Sequence, residues 1–156
     1  MFFSKKTNCL PFSRSHATCS DSDVREQFNA NTGFIDASMV YGSDEKTAEM
    51  LRTMSGGQMK IHEGPSLPTL PTRKQCKFET SGEQDPEDLV SGDIRATEQP
   101  GLASMHSLFL SEHNLIASWV KKFVPDWSDE DIYQYTRKIV GTEIQNIAFR
   151  GGIIKT

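Results

Sequence analysis

The fold is decided by residues 97–123, TEQPGLASMHSLFLSEHNLIASWVKKF. Apolar residues recur there at steps of three or four positions, which is the period of one helix face. The stripe consists of Leu102, Met105, Phe109, Ile116 and Val120, widened by Leu110 and Trp119. Pro100 is compatible with a helix because it falls in the first turn, and the helix should end before Pro125. The stretch therefore predicts one long amphipathic helix.

A second helix is predicted directly downstream. Residues 128–131, SDED, resemble a helix-capping box in which Asp131 takes the position usually held by glutamate. This helix should run to about Phe149, with a buried side formed by Ile132, Tyr135, Ile139, Val140, Ile144 and Ile147. Two such helices predict a mainly α-helical fold.

The residues upstream of the long helix are less regular. A short helix is expected from Val24, and a further helix from Asp44 to Met54, where Gly56-Gly57 stops it. Several prolines and little periodicity make residues 58–93 an irregular loop, with a short strand at Gln58–Ile61.

The composition argues against nucleic-acid binding and against a membrane-spanning segment. The 156 residues include 17 basic and 21 acidic side chains, a net charge of −4, so no basic stripe for nucleic acid dominates. No apolar run approaches about 18 residues, the length of a transmembrane helix. The first residues, MFFSKK, lack the apolar run of a signal peptide. The odd count of three cysteines is typical of reduced thiols, or of an oxidised framework that has lost one member.

Alternating oxygen-bearing residues follow Asn31. Thr32, Phe34, Asp36 and Ser38 are two positions apart, so an extended segment would present two hydroxyls, a carbonyl and a carboxylate on one side. Ca²⁺ prefers six to eight hard oxygen ligands of this kind. One carboxylate supplies little charge, so a second acidic ligand would have to come from elsewhere. The spacing by itself also suits an ordinary polar turn.

The entrance to the long helix carries two charged side chains. Arg95 keeps its positive charge at any relevant pH and is able to polarise an oxygen atom. Glu98 is a carboxylate in the first helical turn. The alternative interpretation is a surface arginine beside a helix-capping carboxylate.

Two histidines lie on the long helix. His106 and His113 are seven residues apart, about 10 Å by helix rise, which is too far to share one metal ion. His106 is better explained as a hydrogen-bonded core residue, and His113 lies near the boundary of the apolar stripe.

Four blocks of the sequence together resemble the animal haem peroxidase family. In chain order the blocks are Cys9–Ser15 followed by Cys19, Arg25–Ser43, Gly92–Asn114 and Tyr133–Gly141. The second and third of these are long and specific. The resemblance implies that residues 1–156 are an internal part of a mainly α-helical peroxidase catalytic domain. Its regions would be a disulfide and calcium-loop region at 9–43, the irregular loop at 58–93, and the distal haem helix with its following helix at 95–150.

The resemblance also implies roles for the haem-side residues. Arg95 would be the distal arginine that helps to break the O–O bond of hydrogen peroxide. Glu98 would form an ester to a methyl group of a covalently linked haem b. Gln99 stands where one branch of the family has a methionine bonded to a haem vinyl group, a link that glutamine cannot form.

The remaining roles concern calcium, cysteines and location. By resemblance, the calcium ligands would be Thr32, Phe34, Asp36 and Ser38. Cys9 and Cys19 would form a disulfide. Cys76 would be unpaired, because acidic residues occupy the place of its family partner. The parent protein would be secreted, would meet oxidative stress, and would use hydrogen peroxide to oxidise halides or small organic donors.

The resemblance has gaps that bear on activity. The family's distal and proximal histidines lie outside the matching blocks, so we expect the chain by itself to lack appreciable peroxidase activity. It would then contact the remainder of a peroxidase domain. Two alternatives are a non-catalytic remnant that acts through protein contacts, and a small calcium-binding module.

Overall fold

The computed structural model describes residues 17–18, 24–63, 68–78 and 85–153. Helices account for most of the regular structure, as predicted. They are α1 (Ser38–Tyr41), α2 (Glu45–Leu51), α3 (Arg73–Cys76), α4 (Pro100–Phe123) and α5 (Asp129–Asn146), and a π-helical segment, Ile147–Ile153, follows α5. Two short antiparallel strands, β1 (His62–Glu63) and β2 (Pro68–Thr69), pair His62 with Thr69 and Glu63 with Pro68. Within these described ranges, no helix has both the length and the apolar character needed to cross a bilayer.

The start and the end of α4, and the start of α5, follow the signals in the sequence. Pro100 is the first residue of α4, where its missing N–H costs no helical hydrogen bond. The last residue of α4 is Phe123, two positions before Pro125. Ser128 and Asp131 form the predicted capping box of α5, with Ser128 Oγ accepting from the Asp131 backbone N–H at 3.1 Å.

The core lies where α1, α4 and α5 meet. Three fully buried aromatic rings, those of Tyr41, His113 and Tyr133, contact one another edge to face with centroids 5.3 to 5.9 Å apart. Leu51 and Met59 are also buried. This packing fixes α1 against the middle of α4.

Some residues that were predicted to be buried on the two long helices are exposed. Met105 and Trp119 on α4 are 49% and 53% exposed, because the apolar stripe of α4 is wider than the face its neighbours cover. Tyr135 on α5 and Ile147, the first residue of the π-helical segment, are exposed as well. Ile132 and Val140 are fully buried as predicted, and Tyr133, Thr136 and Gly141 complete the buried side of α5.

Several predicted boundaries also differ. No helix forms from Val24, where Gln27 instead makes an isolated bridge with Ala17. The helix expected from Asp44 to Met54 is α2, which ends three residues early because Arg52 turns extended and bridges to Met59.

The end of the second long helix and the strand in the loop 58–93 also differ from the prediction. The sequence predicts that the second helix runs to about Phe149; the α-helix ends at Asn146, and the chain passes Phe149 as the π-helical segment. The expected strand at Gln58–Ile61 is only the Arg52–Met59 bridge, and the true strands follow it.

Candidate functional site

The predicted cation ligands converge on one hydroxyl. Thr32 Oγ1 lies 2.9 Å from Asp36 Oδ1, 3.0 Å from Ser38 Oγ and 3.4 Å from the Phe34 carbonyl oxygen. The segment is not extended as expected, because Ala37 adopts a left-handed conformation (φ 63°) and Ser38 begins α1. The bend nevertheless brings all four oxygen groups together. We call residues 32–38 the oxygen loop.

The carboxylate of the oxygen loop is held in its charged form. Burial on its own would raise the pKa of Asp36, but hydrogen bonds from Thr32 and Ser38 outweigh it and lower that pKa. Within the described ranges, no three histidine, cysteine or acidic side chains cluster as a metal site would require. Calcium bound here would therefore need further oxygen ligands beyond the loop.

Arg95 is clamped by a carboxylate two residues upstream. Its Nε and Nη2 atoms donate to the two oxygens of Asp93 at 3.0 and 2.6 Å, and its backbone N–H donates to Asp93 Oδ1 at 2.9 Å. The Asp93 side chain is 9% exposed, whereas that of Arg95 is 58% exposed. The hydrogen bonds from Arg95 hold the pKa of Asp93 far below its usual range, and those bonds raise the pKa of Arg95. The pair is fully ionised.

The other predicted haem-side residues stand one turn from this pair. The Glu98 backbone N–H donates to the Arg95 carbonyl at 3.0 Å, and the charge of Glu98 helps to raise the pKa of Arg95. Gln99 caps α4, because its Oε1 accepts from the Gly101 backbone N–H at 2.8 Å. Glu98 precedes this cap, so it lies just before α4 and not in its first turn as expected, and its side chain is exposed.

The surface around Arg95 carries the kinds of side chain that a haem contacts. A haem joins an apolar ring to charged carboxylates, and here Ile94 is 98% exposed beside two exposed charged side chains. An iron ligand is a different matter. His106 and His113 are only 3% and 0% exposed, so neither ring reaches the surface that Arg95 and Glu98 share.

Both helix histidines have structural partners. His106 Nδ1 lies 2.9 Å from Ser91 Oγ, which confirms its expected place as a hydrogen-bonded core residue. His113 Nε2 lies 2.8 Å from the Gly57 carbonyl, so Nε2 carries the proton and Nδ1 accepts from the Tyr41 hydroxyl at 2.8 Å. Burial lowers the pKa of His113 to about 4. His113 is thus more deeply buried than its position at the stripe boundary suggested.

Sequence reasoning missed three residues around these sites. Asp93 clamps Arg95, and Asn31 donates from Nδ2 to Asp93 Oδ2 at 3.0 Å. Arg52, whose side chain is 8% exposed, pairs with Asp129 at 2.8 Å and also bonds Glu130. The short spacing of Asp93 and Arg95 was a usable signal. The other two contacts join residues more than 60 positions apart and left no local pattern.

The cysteines divide between described and undescribed residues. Cys76 is buried with a free thiol, as predicted, and burial raises its pKa to about 11. Cys9 and Cys19 lie outside the described residues, so their disulfide stays a prediction.

Comparison with known proteins gives the family. The sequence pattern described as animal haem peroxidase matches residues 1–151. Human myeloperoxidase is 38% identical over 163 positions, which cover 93% of this chain and 21% of that protein. Lactoperoxidase of Mesocricetus auratus is 41% identical over 91% of this chain and 22% of its own. Peroxidase A from Dictyostelium discoideum superposes with a TM-score of 0.72 at 31% identity, covering 81% of this chain and 25% of that one.

The chain therefore belongs to the animal haem peroxidase family. It spans about a fifth of the length of myeloperoxidase and of lactoperoxidase. The resemblance and the mainly α-helical, partial peroxidase domain are both confirmed. Haem is the cofactor that membership of this family implies.

Proposed function

We propose that this chain forms the distal side of a haem peroxidase site that reduces hydrogen peroxide and oxidises a halide or a small organic donor. The observation that carries the proposal is the ionised Arg95–Asp93 pair at the mouth of α4, with the exposed carboxylate of Glu98 one turn away. Haem b, when bound, would supply the redox chemistry. Glu98 would hold it through an ester, and Gln99 would line the site without a covalent link.

Arg95 would act on the departing oxygen of the peroxide. Nε and Nη2 donate to Asp93, so Nη1 is the guanidinium nitrogen that this pair does not use. A positive charge fixed in advance stabilises negative charge that develops as the O–O bond breaks, at little reorganisation cost. The donor would then be oxidised at the same exposed surface.

The two histidines of α4 do not supply an iron ligand at the Arg95 surface. Since His106 and His113 are buried, we infer that the chain with hemin alone turns over peroxide no faster than free hemin. Imidazole added to the solution would supply the missing ligand. Peroxide turnover by the chain together with hemin and imidazole is therefore an assay for the roles of the distal residues.

Glu98→Gln tests the covalent link. After incubation with hemin, imidazole and hydrogen peroxide, which is the oxidant needed to join a carboxylate to a methyl carbon, the parent chain should retain haem through acid–acetone extraction. The variant should retain about tenfold less, because an amide is a poor partner for that bond. The readout is absorbance in the Soret region after extraction.

The matched control is Glu45→Gln, which makes the same change at an exposed glutamate in the first turn of α2. It should behave like the parent chain. Equal retention by Glu98→Gln and the parent would exclude Glu98 as the attachment point. No saturable hemin binding by any chain would overturn the proposed function itself.

A calcium-binding role is the second candidate, and the convergence of the oxygen loop favours it. We infer that Ca²⁺ binds there with an affinity weaker than about micromolar, because the loop supplies a single carboxylate. Thr32→Val removes the central hydroxyl at constant shape and should weaken binding about tenfold. Calorimetry measures this, with Thr142→Val on the exposed side of α5 as the control.

Either a sub-micromolar affinity or an unchanged affinity in Thr32→Val would contradict this assignment. A chain that binds Ca²⁺ but no hemin would favour the module or the non-catalytic remnant over the peroxidase. We further propose that the natural protein is secreted, with Cys9 and Cys19 joined, because disulfides persist in oxidising compartments.

A further inference from the structure

The contacts of Asp93 point to a link between the oxygen loop and Arg95. Asp93 accepts from Arg95 on one side and from Asn31 Nδ2 on the other, so one buried carboxylate joins both. Asn31 directly precedes Thr32, the residue on which the loop oxygens converge. A movement of Thr32 would therefore also displace Asn31, the neighbouring residue that donates to Asp93.

The main chain around Asp93 is fixed independently of these side chains. The Asp93 and Gly92 backbone N–H groups donate to the carbonyls of Met39 and Val40, at 3.0 and 3.2 Å. Gly92 lies so close to α1 that a Cβ there would stand 2.2 Å from the Gly42 nitrogen. Because the backbone is held in this way, the freedom left to the Asp93 carboxylate is mainly rotation, which Asn31 restricts.

Arg95 and Asp93 are joined by two hydrogen bonds between opposite charges. An arginine that donates from two nitrogens to both oxygens of a carboxylate is fixed in direction as well as in distance. The Asp93 side chain is nearly buried, so water competes little for these bonds. Arg95, in contrast, is largely exposed and would sample many rotamers if the carboxylate were absent.

We propose that Asp93 is a positioning residue for Arg95, and that Asn31 couples this pair to the oxygen loop, so that a divalent cation in the loop adjusts the orientation of the Arg95 guanidinium. The inference rests on the proposed function for its consequence, which is control of the peroxide-side arginine by a cation. Binding of a cation would draw the oxygen of Thr32 away from its present hydrogen bonds and shift Asn31 with it. The carboxylate of Asp93 transmits that shift.

The test follows the Arg95 Nε–H group by NMR in the full chain without haem. The resonance is assigned by its loss in Arg95→Lys. In the parent chain, Ca²⁺ should move this resonance with the same midpoint as calorimetric binding. In Asn31→Ala, Ca²⁺ should still bind, and the movement should be lost. Asn146→Ala, an exposed asparagine at the end of α5, is the control and should keep it.

Asp93→Asn tests the positioning role. Hydrogen exchange of the Arg95 Nε–H should become about tenfold faster or more, because the charged hydrogen bond is what slows it. Asp126→Asn makes the same charge change at an exposed site between α4 and α5 and should have no effect. If Asp93→Asn does not fold, Asp93→Glu serves instead: it keeps the charge but misplaces the carboxylate, and it should also speed the exchange of the Arg95 Nε–H.

Each remaining outcome counts against the inference. No movement of the resonance in the parent chain, or equal movement in Asn31→Ala, overturns the link to the loop. Loss of calcium binding in Asn31→Ala would make Asn31 a part of the cation site and would also overturn it. Unchanged exchange in Asp93→Asn overturns the positioning role. Since none of these measurements involves haem, they separate this inference from failure of the proposed peroxidase function.

Discussion

Replacing Arg95 by alanine is expected to lower the imidazole-supported peroxide turnover of the hemin-loaded chain about a hundredfold, a loss typical of removing one preorganised charge from a transition state. The guanidinium is the exposed positive group that the structure fixes beside Glu98, and its partner Asp93 is nearly buried. Without it, negative charge on the departing oxygen would be stabilised by water alone. The measurement is the initial rate of donor oxidation at saturating hemin, compared with hemin and imidazole without protein.

Two further variants sharpen the interpretation of that loss. Arg95→Lys keeps the positive charge but has no planar fork to match both oxygens of Asp93, so an intermediate rate is expected. Arg150→Ala removes an exposed arginine far along the chain, from the π-helical segment, and should leave the rate unchanged. A rate for Arg95→Ala equal to that of the parent chain would remove Arg95 from the proposed mechanism. Hemin titration of each variant shows whether a lost rate reflects lost binding.

The long helices were predictable because their signals are local. The start of α4 at Pro100, its end before Pro125, and the capping box of Ser128 and Asp131 each depend on residues within a few positions. The mainly helical fold follows from these elements. The buried face was harder to predict, because Met105 is as apolar as its buried neighbours and only the arrangement of α1 and α5 leaves it exposed.

In the candidate site, too, the local patterns were predictable and the contacts between distant residues were not. The Arg95–Glu98 spacing and the alternation from Thr32 to Ser38 were visible in the sequence. The structure brings the oxygens of the loop together, although the loop bends where an extended segment was expected. The contact of Asn31 with Asp93 was not visible. It joins residues 62 positions apart and depends on the close approach of Gly92 to α1.

Acidification should destabilise the fold through His113. Its folded-state pKa of about 4 lies below the ordinary value of 6.5, so the unfolded chain binds the proton more readily than the folded chain. The free energy of unfolding is therefore highest above about pH 6.5 and falls as the pH decreases toward 4, by about 3 kcal/mol in all. The physical cause is burial, together with a hydrogen-bond arrangement in which Nδ1 must stay unprotonated to accept from Tyr41.

Urea unfolding between about pH 7 and about pH 4.5 measures this loss. His113→Gln removes the titrating group, and its stability, though lower at neutral pH, should depend less on pH by about the same 3 kcal/mol. His62→Gln, at an exposed position on β1, should keep the pH dependence of the parent chain. If His113→Gln does not fold, titration of the His113 ring in the parent chain by NMR serves instead. A midpoint near 6.5 there, or the same pH dependence in His113→Gln and the parent, would show that the Tyr41–His113–Gly57 contacts do not hold the ring neutral in solution.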